Sequence, residues 1–325
     1  MNLAGGRWRW RWAACWWLGC LIGLAAEPSA AAGESPASFE LAEIAPGVWV
    51  HTGQIGDFAA DNGGDIANMG FVIGSRCVAV IDTGGSRRLG ERLRTAILAQ
   101  TRLPVCFVIA THMHPDHLLG HAAFADDHPA FVAAAKQIPA LAARAAGYLQ
   151  RQQSTLGPLA DGSRIIPPDH PVANSEVLDL GGRTLALRTW RTAHTDNDLT
   201  VEDSSSGTLF TGDLVFRGHL PVIDGSLRGW LAALEQLQAI VRGPLVPGHG
   251  AVFLPQGKSE AAGSPIELER VYLEGLAREV RAALAAHKTL QQTVAQSQPP
   301  VGWMLTELYH RRNVTAAYAE LEWED

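Results

Sequence analysis

The sequence lacks several things that would have sent it to other classes. It has no internal repeat and no low-complexity tract across its 325 residues, which sets aside solenoids and disorder. It has no excess of positive charge: 26 Lys and Arg stand against 33 Asp and Glu, a net charge of −7. So acidic a chain does not suit a phosphate backbone, and nucleic acid is not an expected partner. Cysteine is scarce, at four residues. The apolar run over 13–26 stops short of the about 20 residues that a membrane-spanning helix needs.

What is present near the start is the layout of a secretory signal peptide. Arg7, Arg9 and Arg11 precede the apolar run, and the small-residue stretch AAEPSAAAGE follows it. Residues 1–32 are therefore expected to be a cleaved signal, which places the protein in the periplasm or outside the cell. A lipid anchor at Cys20 is disfavoured by the bulky Trp17 before it and the apolar LIGLAA after it. Retention as a membrane anchor is the lesser alternative. The segment carries three Arg and one Glu, so the chain without it stands near −9. Cys15 and Cys20 leave with it. Cys77 and Cys106 remain in apolar, strand-like runs and are expected to be two buried thiols. A disulfide between neighbouring strands is the alternative in an oxidising compartment.

The rest reads as a mixed α/β domain followed by helices. Strands are expected within 39–53, at 69–74, 77–85 and 104–110, then at 184–190, 199–205, 208–213 and 244–250. CVAVIDTGG (77–85) is almost wholly apolar, so its strand should be buried on both faces. Helices are expected at 86–100 with Ser86 as N-cap, at 118–125, at 133–151 with a kink at Pro139, and at 226–243. From 258 the composition turns to Glu, Arg, Ala and Leu, and 258–325 reads as an extension of two or three helices. Residues 54–68 and 152–175 are expected to be loops.

The densest chemical signal is THMHPDHLLGH (111–121), in which four of eleven residues are His. Twelve His spread evenly over the chain would place about 0.4 in such a window. His112 and His114 are two apart after a strand, so in an extended loop they project to one side. Asp116 and His117 follow at once. Imidazole nitrogen and carboxylate oxygen are good zinc ligands. Four ligands in six residues exceed what one tetrahedral ion takes from so short a loop, which points to two adjacent metals. Further ligands lie after apolar runs: His194 in TAHTDND, Asp213 in TLFTGD and His249 in PLVPGHG.

The ordered set THMHPDH, AHT, TGD and PGHG resembles the metallo-β-lactamase superfamily over residues 38–257. The resemblance implies an αββα four-layer sandwich with metals at one edge. It implies that His112, His114 and His194 hold one metal, that Asp116, His117 and His249 hold the second, and that Asp213 bridges them. Two zinc ions are implied, although some members use iron or manganese. Ala193 stands where the family usually has Gly, and LLGH follows the motif where a Gly pair is commoner; neither change removes a ligand. His121 falls one turn beyond His117 and is expected to be a neighbour of the site or a surface residue.

The segments DNGGDIANMGFVIG (61–74), PVIDGSLRGWL (221–231) and HRRNVTAAYAELEWE (310–324) are similar to those of quinoprotein relay system zinc metallohydrolases. That narrower resemblance implies a small-molecule hydrolase serving a pyrroloquinoline-quinone-dependent oxidation system, with a quinoprotein dehydrogenase as functional neighbour. The expected nucleophile is hydroxide held between the two metals and oriented by Asp116. Asp82 is expected to support a ligand imidazole. His219 is the candidate for the general acid. Asp224 and Trp230 are expected to form a substrate wall. Tyr318 and Trp323 are expected to dock the last helix. Three other functions compete: a β-lactamase, a mononuclear-iron sulfur oxidase, and a non-catalytic accessory protein. Asp213 weighs against the first, because lactamases usually carry Cys or Ser there.

Overall fold

A computed structural model of the chain describes residues 39–255 and 263–324. The expected signal segment lies outside the described residues. Among those described, no helix is long and apolar enough to cross a membrane.

The first half builds a seven-stranded sheet. Its strands are β1 (Ala42–Ala45), β2 (Val48–His51), β3 (Met69–Ile73), β4 (Val78–Ile81), β5 (Val105–Ile109), β6 (Ala130–Ala134) and β7 (His170–Val172), in sequence order across the sheet. Between β4 and β5 runs α1 (Arg87–Gln100), capped at its N-terminus by the Ser86 hydroxyl. The one-turn α2 (Pro115–Leu118), a 3-10 segment (Leu119–Asp127) and α3 (Gln137–Leu156) follow. The second half builds a five-stranded sheet ordered β12-β11-β10-β9-β8, from β8 (Ser175–Asp179), β9 (Thr184–Thr189), β10 (Leu199–Asp203), β11 (Leu209–Phe216) and β12 (Leu245–His249). Helix α4 (Leu227–Ile240) joins β11 to β12, and α5 (Pro265–Ala285), α6 (Leu290–Gln296) and α7 (Thr306–Leu321) complete the chain.

Side-chain alternation sets the layers. In β4, Val78 and Val80 pack against Leu93 and Ile97 of α1. Ala79 and Ile81, pointing the other way, meet Leu185, Leu187 and Val201 of the second sheet. The second sheet's outer face carries Leu209 and Val215 against Leu234 of α4, Leu273 of α5 and Val314 of α7. The result is the four-layer αββα sandwich. Helices α5 and α7 share one apolar core with α4 and β11, so these C-terminal helices are built into the sandwich.

Several expectations change. Cys77 and Cys106 are joined as a disulfide, not two thiols, because β4 and β5 are parallel neighbours with the two Cα atoms 5.8 Å apart. AFVAA is the buried strand β6 between β5 and β7, where sequence periodicity ran the helix back to 133. Alanine favours helix, but here a slot between two parallel strands decides. Pro139 does not kink α3: it sits in the first turn, where its missing N–H has no helical acceptor anyway. After the motif the chain makes only one α-turn before the 3-10 segment. Tyr318 is buried as expected, but Trp323 is 82% exposed and docks nothing.

Candidate metal centre

The motif residues meet at one edge of the sandwich. The loop after β5 and the helical turn α2 carry residues 111–117, the β9–β10 connection carries His194, β11 carries Asp213 and β12 ends in His249. Two backbone bonds tie the sheets together at this edge: Leu199 N–H donates to the Thr111 carbonyl and Asn68 N–H to the Gly248 carbonyl, both at 2.8 Å. The glycines of TGD and PGHG are required by contact. A Cβ on Gly248 would lie 1.9 Å from Asp213 Oδ1, and one on Gly212, which has φ +51°, would lie 2.5 Å from Thr111 Oγ1.

Two groups of potential ligand atoms converge: His112, His114, His194 and Asp213 in one, Asp116, His117 and His249 in the other. In the first, His114 Nδ1 lies 3.0 Å from both His112 Nε2 and His194 Nε2. Asp213 Oδ2 is 3.3 Å from His194 Nε2 and 3.7 Å from His112 Nε2. In the second, Asp116 Oδ2 is 3.3 Å from His249 Nε2 and 3.7 Å from His117 Nε2. The other Asp213 oxygen, Oδ1, lies 3.1 Å from His117 Nε2 and 3.4 Å from His249 Nε2. Ligands about 2.0–2.2 Å from a tetrahedral zinc stand about 3.3–3.6 Å apart, so both groups have the spacing of a metal's ligand shell. His117 Nε2 and Asp213 Oδ1 are buried and make no hydrogen bond, which a cation between them would remedy.

Every imidazole is oriented from behind. His112 Nδ1 meets Thr111 Oγ1 at 3.1 Å, His117 Nδ1 meets Asp82 Oδ2 at 2.8 Å, and His194 Nδ1 meets the Val222 carbonyl at 2.7 Å. His249 Nδ1 meets the Ile66 carbonyl at 2.8 Å, and His114 Nε2 meets Asp224 Oδ2 at 3.1 Å. With these outer nitrogens donating, each ring in its neutral form turns an inner lone pair towards the centre. Asp82 also accepts from Thr111 N and Oγ1, both at 2.8 Å.

The charges of the metal-free site point the same way. Burial opposes a proton on His249, but Asp213 and Asp116 outweigh it and raise its pKa to about 9. His117 is raised well above the usual imidazole value, since Asp213 and Asp82 overcome its burial. Burial lowers His194 to about 4 and lowers His112 strongly. The carboxylates thus gather positive charge on the side where Asp116, His117 and His249 meet.

The other sequence candidates fall at different distances from the centre. Asp82 Oδ2 accepts from His117 Nδ1 at 2.8 Å. Asp224 is not a free substrate wall: it is held between His114 and Arg144, the latter at 2.6 Å. Trp230 is fully buried, donates to the Leu214 carbonyl at 3.0 Å and packs on His194, so it is core. His219 lines the cavity, but burial and the neighbouring His249 lower its pKa to about 4. Its Nδ1 meets the Leu220 carbonyl at 2.6 Å. Neutral and tautomer-locked, it offers an acceptor rather than an acid. His121 is buried against Phe131, bonds Thr83 Oγ1 and ligates nothing.

A cavity of about 350 Å³ opens over the centre. Asp57, Phe58 and Ile66 line one side, in keeping with the expected loop at 54–68; of 152–175, only Gln152 and Thr155 at the end of α3 reach it. Sequence reasoning missed Tyr148 and Arg151 on α3 and Tyr309 and Arg312 on α7, which also line it. It missed Asn313 too, which is fully buried. Asn313 Oδ1 accepts from Ile223 N at 3.0 Å and its Nδ2 donates to the Pro221 carbonyl at 2.6 Å, bracketing the Val222 that holds His194. The signal was the spacing 309, 312, 313, one face of one helix.

The sequence model of the metallo-beta-lactamase superfamily matches residues 62–249. No curated protein matches the chain. Among solved structures, a metallo-beta-lactamase from Pontibacter korlensis aligns with TM-score 0.57 and 22% identity, covering 73% of this chain and 99% of that one. The metallo-beta-lactamase FIM-1 from Pseudomonas aeruginosa, in a mono-zinc form, aligns with TM-score 0.54 and 20% identity over 73% and 95%. A double mutant of the sec-alkyl sulfatase PisA1 aligns with TM-score 0.65 and 16% identity, covering 86% of this chain and 50% of that one. At these identities the likeness speaks to fold. The sequence match spans more than half of the chain, which belongs to the metallo-β-lactamase superfamily of metal-dependent hydrolases.

Proposed function

We propose that the chain is an exported dinuclear zinc hydrolase acting on a small ester, thioester or lactone, in the service of a quinoprotein oxidation system. The observation that carries the two-metal reading is Asp213, whose oxygens face different ligand groups, Oδ2 the first and Oδ1 the second. In this reading His112, His114 and His194 hold one ion, Asp116, His117 and His249 the other, and Asp213 both. A zinc pair, when bound, supplies an acidified water and a Lewis acid for the substrate oxygen. The chain's part is orientation: Asp82, Asp224, Thr111 and the Val222 and Ile66 carbonyls fix tautomers and ring planes, and Asp116 faces the cavity to align the attacking water.

Export is supported by the N-terminal layout and by the Cys77–Cys106 disulfide, a bond that persists in oxidising compartments. The quinoprotein link rests on the three segments that carry the narrower resemblance, all of which support the centre. Segment 61–74 contributes Ile66 and Asn68, whose Nδ2 donates to the Pro247 and Gly250 carbonyls around His249. Segment 221–231 contributes Val222 and Asp224. Segment 310–324 contributes Asn313, and Glu320, which accepts from Ser226 Oγ and Leu227 N at the start of α4. The test is a panel of chromogenic esters, thioesters, lactones and nitrocefin with zinc-loaded protein. Turnover of the first three, abolished in His112→Ala, is expected. Turnover of nitrocefin alone would replace this reading with a β-lactamase.

A further inference from the structure

Two arginines, Arg151 and Arg312, line the walls of the metal cavity. Arg151 lies on α3, on the cavity-lining face with Tyr148, Gln152 and Thr155. Arg312 lies on α7, one turn from Tyr309, over whose ring it sits at 5.7 Å. Among the described residues, neither guanidinium forms an ion pair with a carboxylate. The contrast with Arg144 is instructive: two turns before Arg151 on the same helix, it is committed to Asp224 and through it to His114.

The acidic groups of the cavity are likewise committed. Asp57 accepts from Tyr309 Oη at 3.0 Å and from Phe58 N at 2.9 Å. Asp116 and Asp213 belong to the ligand groups. With metal held by the two ligand groups, the two guanidinium groups of the walls would outnumber Asp57, the one lining carboxylate outside those groups, in a chain whose net charge is −7. Guanidinium presents a planar fork of donors matched to a carboxylate or sulfonate. Arg312 lies on α7, beyond the residues that the superfamily model matches.

We propose that Arg151 and Arg312 form an anion subsite above the metal floor, and that the substrate is a small ester or thioester bearing a carboxylate away from its scissile bond. This rests on the hydrolase reading of the floor. The scissile group lies over the ligand groups while the remote anion is held by the arginines. Such an arrangement aligns the substrate and discriminates against neutral esters.

The test compares 4-nitrophenyl hydrogen succinate with 4-nitrophenyl butyrate, using the zinc-loaded full chain and its Arg151→Gln/Arg312→Gln double variant. Succinate binding by calorimetry to the same proteins gives a readout independent of turnover. A charge-assisted contact is worth about tenfold to a hundredfold. The kcat/KM ratio of anionic to neutral ester should therefore fall at least about thirtyfold in the double variant, mainly through KM. Succinate affinity should fall at least about tenfold. Arg311→Gln, one residue away and outside the cavity lining, should leave both unchanged. Arg151→Lys/Arg312→Lys, which keeps the charge, should restore part of the ratio. An unchanged ratio and unchanged succinate affinity in a folded double variant overturn the subsite, whether or not esters are hydrolysed. If neither ester is hydrolysed but succinate affinity still depends on the arginines, the subsite stands and the hydrolase reading falls.

Discussion

Asp82→Asn is the most informative single substitution, because it changes almost nothing except what His117 sees. Asp82 is buried and has φ +54°, a left-handed conformation that Asn tolerates as well as Asp. Its Oδ1 accepts from Thr111 N; its Oδ2 accepts from Thr111 Oγ1 and His117 Nδ1. An Asn amide can satisfy one side only. With its oxygen on Thr111 N, its NH2 faces His117 Nδ1, which must then give up its proton. The proton moves to His117 Nε2, the atom that points at Asp213, and blocks it as a ligand. With the amide reversed, the NH2 faces the Thr111 N–H donor, at a cost of about 1–3 kcal/mol for a buried unmatched group. Either way the group of Asp116, His117 and His249 weakens, by the about 10- to 100-fold expected for losing an outer partner of a ligand. The group of His112, His114 and His194 should keep its affinity within a few-fold. Zinc titration against a chromophoric chelator resolves the two steps. Two unchanged steps in a folded Asp82→Asn protein would refute the claim that Asp82 sets the His117 tautomer.

Three further outcomes follow from the same geometry. Asn313→Ala leaves Ile223 N and the Pro221 carbonyl buried without partners, so chemical denaturation should show a loss of about 2–5 kcal/mol, with a larger loss in zinc-loaded than in zinc-free protein. Zinc binding should release protons, because His249 and His117 are held protonated in the metal-free site and His249 titrates at about 9. Affinity should therefore fall as pH drops below about 9, and calorimetry in buffers of different ionisation enthalpy counts the protons; no release would contradict the charge assignment. Cys77→Ala/Cys106→Ala removes a link across 29 residues and should lower stability by about 3–4 kcal/mol in urea unfolding.

What was legible in the sequence was local. The residues of the two candidate ligand groups could be read because each lies in or just after an apolar run, and the fold brings them to one edge. Asp82 could be read because it ends such a strand beside the motif. Asp224 was placed near the centre but given the wrong role, because nothing local to 221–231 says that Arg144, 80 residues earlier, would claim it. Trp230 looked like a wall because it lies in the same segment, yet the helical phase of α4 turns it into the core with Leu234 and Leu237. Strand β6 was hidden by alanines whose helix preference is overridden by its two strand neighbours. The clasp of α7 on 221–228 joins residues about ninety positions apart, and long-range pairing leaves no periodic trace.

In the proposed centre one carboxylate, Asp213, is shared by two metal ions. Metal content per chain, measured by plasma mass spectrometry on protein prepared without chelator, tests it directly when wild type is compared with Asp213→Ala. Two ions per chain are expected in wild type and a loss at both sites in the variant, because each ligand group loses an oxygen. A wild-type ratio below one, or an Asp213→Ala protein that still holds two ions as tightly, would contradict it.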